Sequence, residues 1–411
     1  MVIISNGFSK HTLSVSAAEA ERRQLLTSFL TGAYPTPLLR KILSLPYLRS
    51  NAKANRLVAR GDQITDGLVH ALFSSEVLHV AGLLSHSESI DVASMEFYGR
   101  LAVRHVKQAA AKGARIYHYR AGFGGESVAV ARKCGMFTLC DHSIAHPSAV
   151  DALARNMGRM PSQEEMVQLS PFWSHILRDI EQADAVLVNS QFVKDTFEHA
   201  GRNHIPVHVI YLGVDDSFLT HLPERGSASE EFRLLFAGTF EKRKGAEVLM
   251  DAMGRLDNLP WQLEVAGQVS PALVTRSRSF FSDPRVNYLG YMSLRDLASA
   301  MTKADVFVFP SLAEGSARVV FYALACGCYV ITTPNSGSIV EQGTHGAVVP
   351  PGDSSALADA IEYAQKNRDE VSRIGKNNAQ LIRTSYMQSS YGDKLCSLYK
   401  KVLGEAEARV N

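Results

Sequence analysis

The chain has 411 residues, 46% of them hydrophobic, and 43 Lys and Arg against 41 Asp and Glu leave a formal charge of +2. That length provides for two or three domains with ample core, and the near balance of charge excludes the broad cationic field of a nucleic-acid binder. Five cysteines (Cys134, Cys140, Cys326, Cys328, Cys396) are too few and too scattered for a disulfide framework, and Cys326-Gly-Cys328 lacks the CxxC spacing of a zinc or redox pair.

From the amino terminus, "MVIISNGFSKHTLS" has no basic n-region and no long apolar h-region, so it reads as a first strand, not a signal peptide. No apolar run approaches the roughly 20 residues that span a bilayer. A cytoplasmic protein is expected. In the first half, strands are predicted at Val2–Ser5, Val77–Ala81, Ile116–Tyr119, Thr138–Cys140, Ala185–Asn189 and Val207–Tyr211. Helical patterns lie between them, such as "SMEFYGRLAVRHVKQAAAKG" and "SQFVKDTFEHAG"; the latter has Ser190 as N-cap and Gly201 beyond its end. The second half repeats the scheme at Arg233–Gly238, Gln262–Gly267, Val286–Gly290, Val306–Pro310, Tyr329–Thr333 and Gly346–Pro350. Apolar strands alternating with helices imply parallel sheets covered on both faces. The fold class is therefore α/β, with two Rossmann-like doubly wound domains facing a central cleft. The polar stretch "THLPERGSASEE" (Thr220–Glu231) marks the boundary. It divides residues 1–218 from 219–387, with a last helix over about 388–411 returning to the first domain.

In open α/β sheets, ligands sit beyond the carboxyl ends of strands. Two such ends in the second half carry chemistry. After Gly238 comes a loop with Lys242, Arg243 and Lys244, then Gly245 and a helix start: cations beside helix N–H groups make an anion site, though the same residues also fit a solvated loop. After Pro310 comes Glu314, placed to accept sugar hydroxyls, followed by small Gly315, Ser316 and Ala317 whose backbone can approach a ligand. A first-turn glutamate favoured by the helix dipole is the plainer alternative.

Together these segments resemble the retaining nucleotide-sugar glycosyltransferases of the GT-B fold, family 4. The motifs are Gly238…Arg243-Lys244-Gly245, Pro310-Ser311…Glu314-Gly315, Ala325…Gly327…Val330-Ile331-Thr332, and Gly337…Glu341…Gly346…Val349-Pro350-Pro351-Gly352-Asp353. The resemblance implies that Arg243 and Lys244 hold the donor diphosphate, that Glu314 meets the transferred sugar, and that the backbone at Gly315–Ala317 touches sugar and phosphate. It implies a base near Gly290–Tyr291 and a first-domain loop, Asn6-Gly7, whose amides approach the phosphates. "CDHSIAHP" matches the family's strand-end histidine, which makes His142 a catalytic residue beside the donor sugar; His146 reads as structural. "HYRAGFGG" (His118–Gly125) offers Arg120 to the acceptor side. It is no P-loop, lacking Gly-Lys-Ser/Thr.

The chain departs from the family where Tyr322 stands for the second glutamate, which meets the ribose, and where Thr239 stands for a first-loop arginine. No D-x-D triplet occurs, so no metal and no cofactor are expected. The resemblance implies a UDP- or GDP-linked sugar as donor and a glycan or a lipid-linked glycan as acceptor, as in surface polysaccharide biosynthesis. Between Glu21 and Asp62 there is no acid, while Arg22, Arg23, Arg40, Lys41, Arg49, Lys53, Arg56 and Arg60 occur. "YPTPLLRKILSLPYLRSNAKANRLVAR" (Tyr34–Arg60) thus suits either a solvated face or peripheral contact with an anionic inner membrane face. A sugar-nucleotide epimerase, a phosphorylase and a non-catalytic relative remain the competing readings.

Overall fold

The structure is a computed structural model that describes residues 1–9, 12–35, 40–42, 57–58, 64–155, 158–160, 170–202, 204–220, 222–223, 225 and 231–410. Most of the Tyr34–Arg60 stretch and of the Thr220–Glu231 stretch lies outside these residues.

Two sheets carry the fold, and every pairing between their strands is parallel. The first has seven strands. They are β1 (Val2–Ser5), β2 (Leu26–Thr31), β3 (Val69–Ala71), β4 (Ile116–Arg120), β5 (Phe137–His142), β6 (Ala185–Val188) and β7 (Val207–Val209). Their spatial order is β3-β2-β1-β4-β5-β6-β7. The second has six, in the order β10-β9-β8-β11-β12-β13. They are β8 (Arg233–Ala237), β9 (Gln262–Ala266), β10 (Val286–Gly290), β11 (Val306–Phe309), β12 (Tyr329–Thr332) and β13 (Gly346–Val348). The central strands β1, β6, β11 and β12 are buried at every residue. This is why they read as continuous apolar runs instead of alternating ones.

One expected strand is wrong. Val77–Ala81 lies inside a helix, Phe73–Ser85. Its β-branched valines suggested extension, but the apolar residues at 73, 77, 80 and 84 recur at helical spacing. Strands β2 and β3 were not anticipated. β2, "LTSFLT", mixes hydroxyls with apolar residues although all six are buried, and β3 is only three residues long.

The chain crosses between sheets twice, side by side. Val214 N–H donates to Tyr386 O at 2.8 Å, and Gln388 N–H returns the bond to Val214 O at 2.8 Å. The final helix, Gln388–Val410, then lays Tyr391, Leu395, Leu398, Tyr399 and Val402 into the core of the first sheet with Ile4 and Leu13. No helix among the described residues is long and apolar enough to cross a membrane.

Candidate functional site

The second sheet builds its half of the site from the ends of β8 and β11. After β8 the chain makes a tight turn, Lys242–Lys244, ended by Gly245 at φ 78°. A side chain on Gly245 would overlap the Pro310 carbonyl, so glycine lets the two loops pack backbone to backbone. Leu312 N–H and Ser311 Oγ both donate to Arg243 O, at 2.8 and 3.1 Å. The cationic turn is thereby fastened to the loop that carries Glu314.

The charges meet at one atom. Arg243 Nη1 and Lys244 Nζ lie 2.9 and 3.2 Å from the same Glu314 oxygen, Oε1. Arg243 also donates to Ala313 O and to Glu241 Oε1, both at 2.9 Å. Glu241 is a positioning residue that the sequence did not single out. Lys244 Nζ stands 5.5 Å from the centre of the Phe309 ring. Beside this cluster is a cavity of about 470 Å³ whose walls include Gly238, Lys244, Tyr291, Glu314, Ser316, Ala317 and Arg318. Among the expected donor residues, Arg243 reaches that cavity only through Glu314, and Gly315 and Tyr322 do not line it.

Tyr322, on the helix Arg318–Ala325, packs its ring 4.6 Å from that of Phe218, and its hydroxyl accepts from Arg318 Nη2 at 2.9 Å. Burial raises its pKa. Arg318 itself is exposed at the cavity wall. Nothing in the sequence pattern had marked it.

The first sheet contributes the ends of β1, β4 and β5. His142 closes β5, buried, with Nε2 3.3 Å from Ala145 O and the ring 5.6 Å from Phe197. Burial pulls its pKa down to about 4 against the help of that carbonyl, so the imidazole is neutral at pH 7. His146 is buried too and is pulled down to about 3 by burial; its Nδ1 is 2.6 Å from Ser148 Oγ. Arg120 closes β4 in register with Asp141, bonds Phe8 O at 3.4 Å and lies 5.2 Å over Phe123. Burial lowers its pKa to about 10. Asp141 is pushed up to about 7 by burial, with Arg120 pulling the other way. His118 Nε2 is 3.9 Å from Asp141 Oδ2, and His118 Nδ1 pairs with the Tyr399 hydroxyl at 2.8 Å. Neither Asp141 nor His118 was expected as a site residue.

Two glycine loops of the first domain have their amides engaged within the domain. Gly7, at φ 76°, has its N–H committed to the Tyr98 hydroxyl at 3.2 Å, and Phe123 covers its Cα. The Gly124 and Gly125 amides are both taken by the Asp179 carboxylate, at 2.7 and 2.8 Å. That turn holds the first domain together and has no amide to spare.

The two halves touch where the candidate residues lie. A side chain on Gly315 would overlap Ser143 O. Asn189 Nδ2 donates to that same Ser143 O at 2.9 Å, and Ser190 Oγ donates to Gly315 O. From the other side, Asn335 Nδ2 donates to Gly158 O and to Leu312 O. His142 and Glu314 are therefore each one residue from a direct contact between domains. An Asn-Ser pair closing the apolar run "AVLV" was the available signal for this clasp.

Comparison with known proteins agrees with this architecture. Residues 231–367 match the model of the family described as glycosyl transferases group 1. An alpha-D-kanosaminyltransferase of Streptomyces kanamyceticus is 26% identical over 187 residues, 44% of this chain and 48% of that protein. The chain thus spans about half the length of the curated relatives it matches. Among solved structures, a sucrose-phosphate synthase from Thermosynechococcus elongatus superposes with a TM-score of 0.65 at 18% identity, over 98% of this chain and all of that one. Anabaena HepE in complex with UDP superposes with a TM-score of 0.61 at 16% identity, with the same coverage. The whole chain has the GT-B fold, and within it residues 231–367 are similar to the group 1 glycosyl transferases.

Proposed function

We propose that this protein transfers a sugar from a nucleotide-sugar donor to a glycan or lipid-linked glycan, with retention of configuration. The observation that carries the reading is the convergence of Arg243 and Lys244 on one oxygen of Glu314 beside an open cavity. Arg243 is paired with Glu241 as well as with Glu314, so the charges balance as they stand, and a diphosphate takes the place of the Glu314 carboxylate: the guanidinium grips two phosphate oxygens and the ammonium adds a point charge. Glu314, released from the cations, accepts hydrogen bonds from the sugar hydroxyls. The Gly238, Ser316 and Ala317 backbone lies against phosphate and sugar, and Tyr291 stacks with the base.

In the reaction the bond from the anomeric carbon to the phosphate oxygen breaks. The nucleoside diphosphate leaves with the electron pair, and an acceptor hydroxyl forms the new bond and passes its proton to the departing phosphate oxygen. Arg243 and Lys244 stabilise the charge that develops on the leaving oxygen, the work a divalent ion would otherwise do. Neutral His142 meets a sugar hydroxyl without adding charge, and Arg120 lies on the acceptor side. The relative bound to UDP favours a uridine donor first, with guanosine next. A lipid-linked acceptor would place the protein in the cytoplasm, peripheral to the inner membrane face, in surface polysaccharide synthesis.

One observation favours a non-catalytic binder instead: Tyr322 is spent on Phe218 and Arg318, so no second carboxylate meets the ribose. A thermal-shift panel of nucleoside diphosphates and their sugars, followed by donor turnover, separates the readings. A ligand at a hundred times its Kd adds about 2.7 kcal/mol. Stabilisation by UDP or GDP with slow sugar release supports transfer. Stabilisation without turnover supports the binder, and acceptor-free interconversion of the sugar supports an epimerase. If no nucleotide stabilises the protein, the proposal fails.

A further inference from the structure

The helix Phe73–Ser85 has its polarity reversed. Its buried residues are Ser75, Glu76 and Gly82. Glu76 accepts the N–H of Ala33, and His79 faces Asp91 at 3.1 Å on the neighbouring helix Glu88–Ala111. The large apolar residues of the helix Phe73–Ser85, other than the partly buried Leu78, point outward. Phe73, Val77, Val80 and Leu84 form one stripe at helical spacing, with Leu83 beside it. Val77 is 68% exposed and Leu84 80% exposed. No other described helix or strand exposes more than one large hydrophobic side chain. Glu76 is the helix's only Asp, Glu, Lys or Arg, so the outward face carries no fixed charge.

A globular helix turns its apolar face inward, and a contiguous apolar patch left outside marks an interaction surface. The flanking sequence selects the partner. The helix starts directly after β3, at the edge of the first sheet, on the end where the cleft opens. The segment held by Glu76 through Ala33 runs on into Tyr34–Arg60, which has six Lys and Arg and no acid. An uncharged apolar stripe, preceded in the sequence by an acid-free cationic run, complements an anionic lipid surface: apolar side chains enter the acyl boundary while cations meet headgroups.

We propose that the stripe Phe73–Val77–Val80–Leu84 is the face by which this protein docks on an anionic membrane, setting the rim of the cleft at the lipid surface. The inference rests on the membrane-side acceptor reading above. Co-sedimentation with vesicles of phosphatidylglycerol and phosphatidylcholine, against phosphatidylcholine alone, tests it on the full chain. The wild type is expected to bind the anionic vesicles. Val77→Glu with Leu84→Glu is expected to bind at least about tenfold more weakly, with its melting temperature within about 2 °C of the wild type, since both positions are exposed. The milder Val77→Ser with Leu84→Ser is expected to fall between. If the glutamate variant binds vesicles as the wild type does, and only Gln substitutions of Arg49, Lys53 and Arg56 release it, the stripe is not the docking face although the membrane reading survives. If the wild type binds neither vesicle while nucleoside diphosphates still stabilise it, membrane docking falls and the transferase reading stands. A wild-type dimer that the glutamate variant splits in sedimentation velocity would assign the stripe to a second copy and overturn the proposal.

Discussion

The two domains place polar groups at the same topological position, the carboxyl ends of central strands, and treat them in opposite ways. In the second domain Arg243, Lys244 and Glu314 form ion pairs beside an open cavity. Ion pairs at an open wall can exchange partners with a charged ligand. In the first domain Asp141, His118, His142 and His146 are buried, and desolvation outweighs every nearby charge. Burial there strips charge from the groups: the carboxyl is held towards its neutral acid and the imidazoles towards their neutral bases. One half offers electrostatic binding; the other offers neutral hydrogen-bonding groups in fixed positions.

Removing the cations tests this contrast most severely. Arg243→Ala and Lys244→Ala are each expected to lower kcat/KM for the donor by roughly a hundredfold, as loss of a group facing a developing anion does. Because both cations share one carboxylate oxygen, the double variant should lose less than the product of the single losses. Donor kinetics on the four proteins decide it. Single variants that retain wild-type kcat/KM, or strictly multiplicative losses, would show that the shared oxygen does not organise the site.

The buried half answers to pH. A carboxyl raised to about 7 still holds its proton when folded, whereas the unfolded chain releases it near 4. Asp141 therefore lowers stability progressively as pH rises from about 4 to about 7. The histidines act in the opposite direction. With folded values of about 3 and 4, below the ordinary 6.5, their contribution is whole above pH 6.5 and fades as pH falls towards 4. Asp141→Asn removes only the first effect. It is expected to stabilise the fold by on the order of 2 kcal/mol more at pH 8 than at pH 5. Thermal melts at the two pH values check this, and an equal change at both would mean that Arg120, His118 and Tyr399 already satisfy an ionised Asp141.

The same contrast explains what the sequence made legible. Charged residues after apolar strands announce themselves, so Arg243, Lys244 and Glu314 stood out from their positions, and two parallel sheets, though not their strand order, followed from the alternation of strands and helices. The first domain's groups lie inside apolar strands. "IYHYR" and "FTLCDH" hide His118 and Asp141 among residues that any buried strand would carry, and only the register of β4 on β5 brings them together. The helix Phe73–Ser85 misled for a related reason. Apolar residues usually mean burial, and here the outward face is the apolar one.

The smallest expected effect lies where the chain departs from the motifs it resembles. Tyr322 stands where that resemblance puts a second glutamate, and here its hydroxyl accepts from Arg318 and its ring rests on Phe218. Tyr322→Phe keeps the ring and removes one hydrogen bond, normally worth about 0.5–1.5 kcal/mol. If Tyr322 acts by orienting Arg318 at the cavity wall, nucleoside diphosphate affinity should fall about threefold while the melting temperature stays put, and calorimetric titration would read the change. Tyr322→Glu then sharpens the point, because a carboxylate four residues from Arg318 would pair with it and hold it more firmly. Affinity that drops in the phenylalanine variant and returns in the glutamate variant would mean that this chain exchanged a direct ribose contact for a positioned arginine. Affinity indifferent to both would leave Tyr322 as packing for Phe218, and would confine the electrostatics of the second domain to the three charges that meet between the loops after β8 and β11.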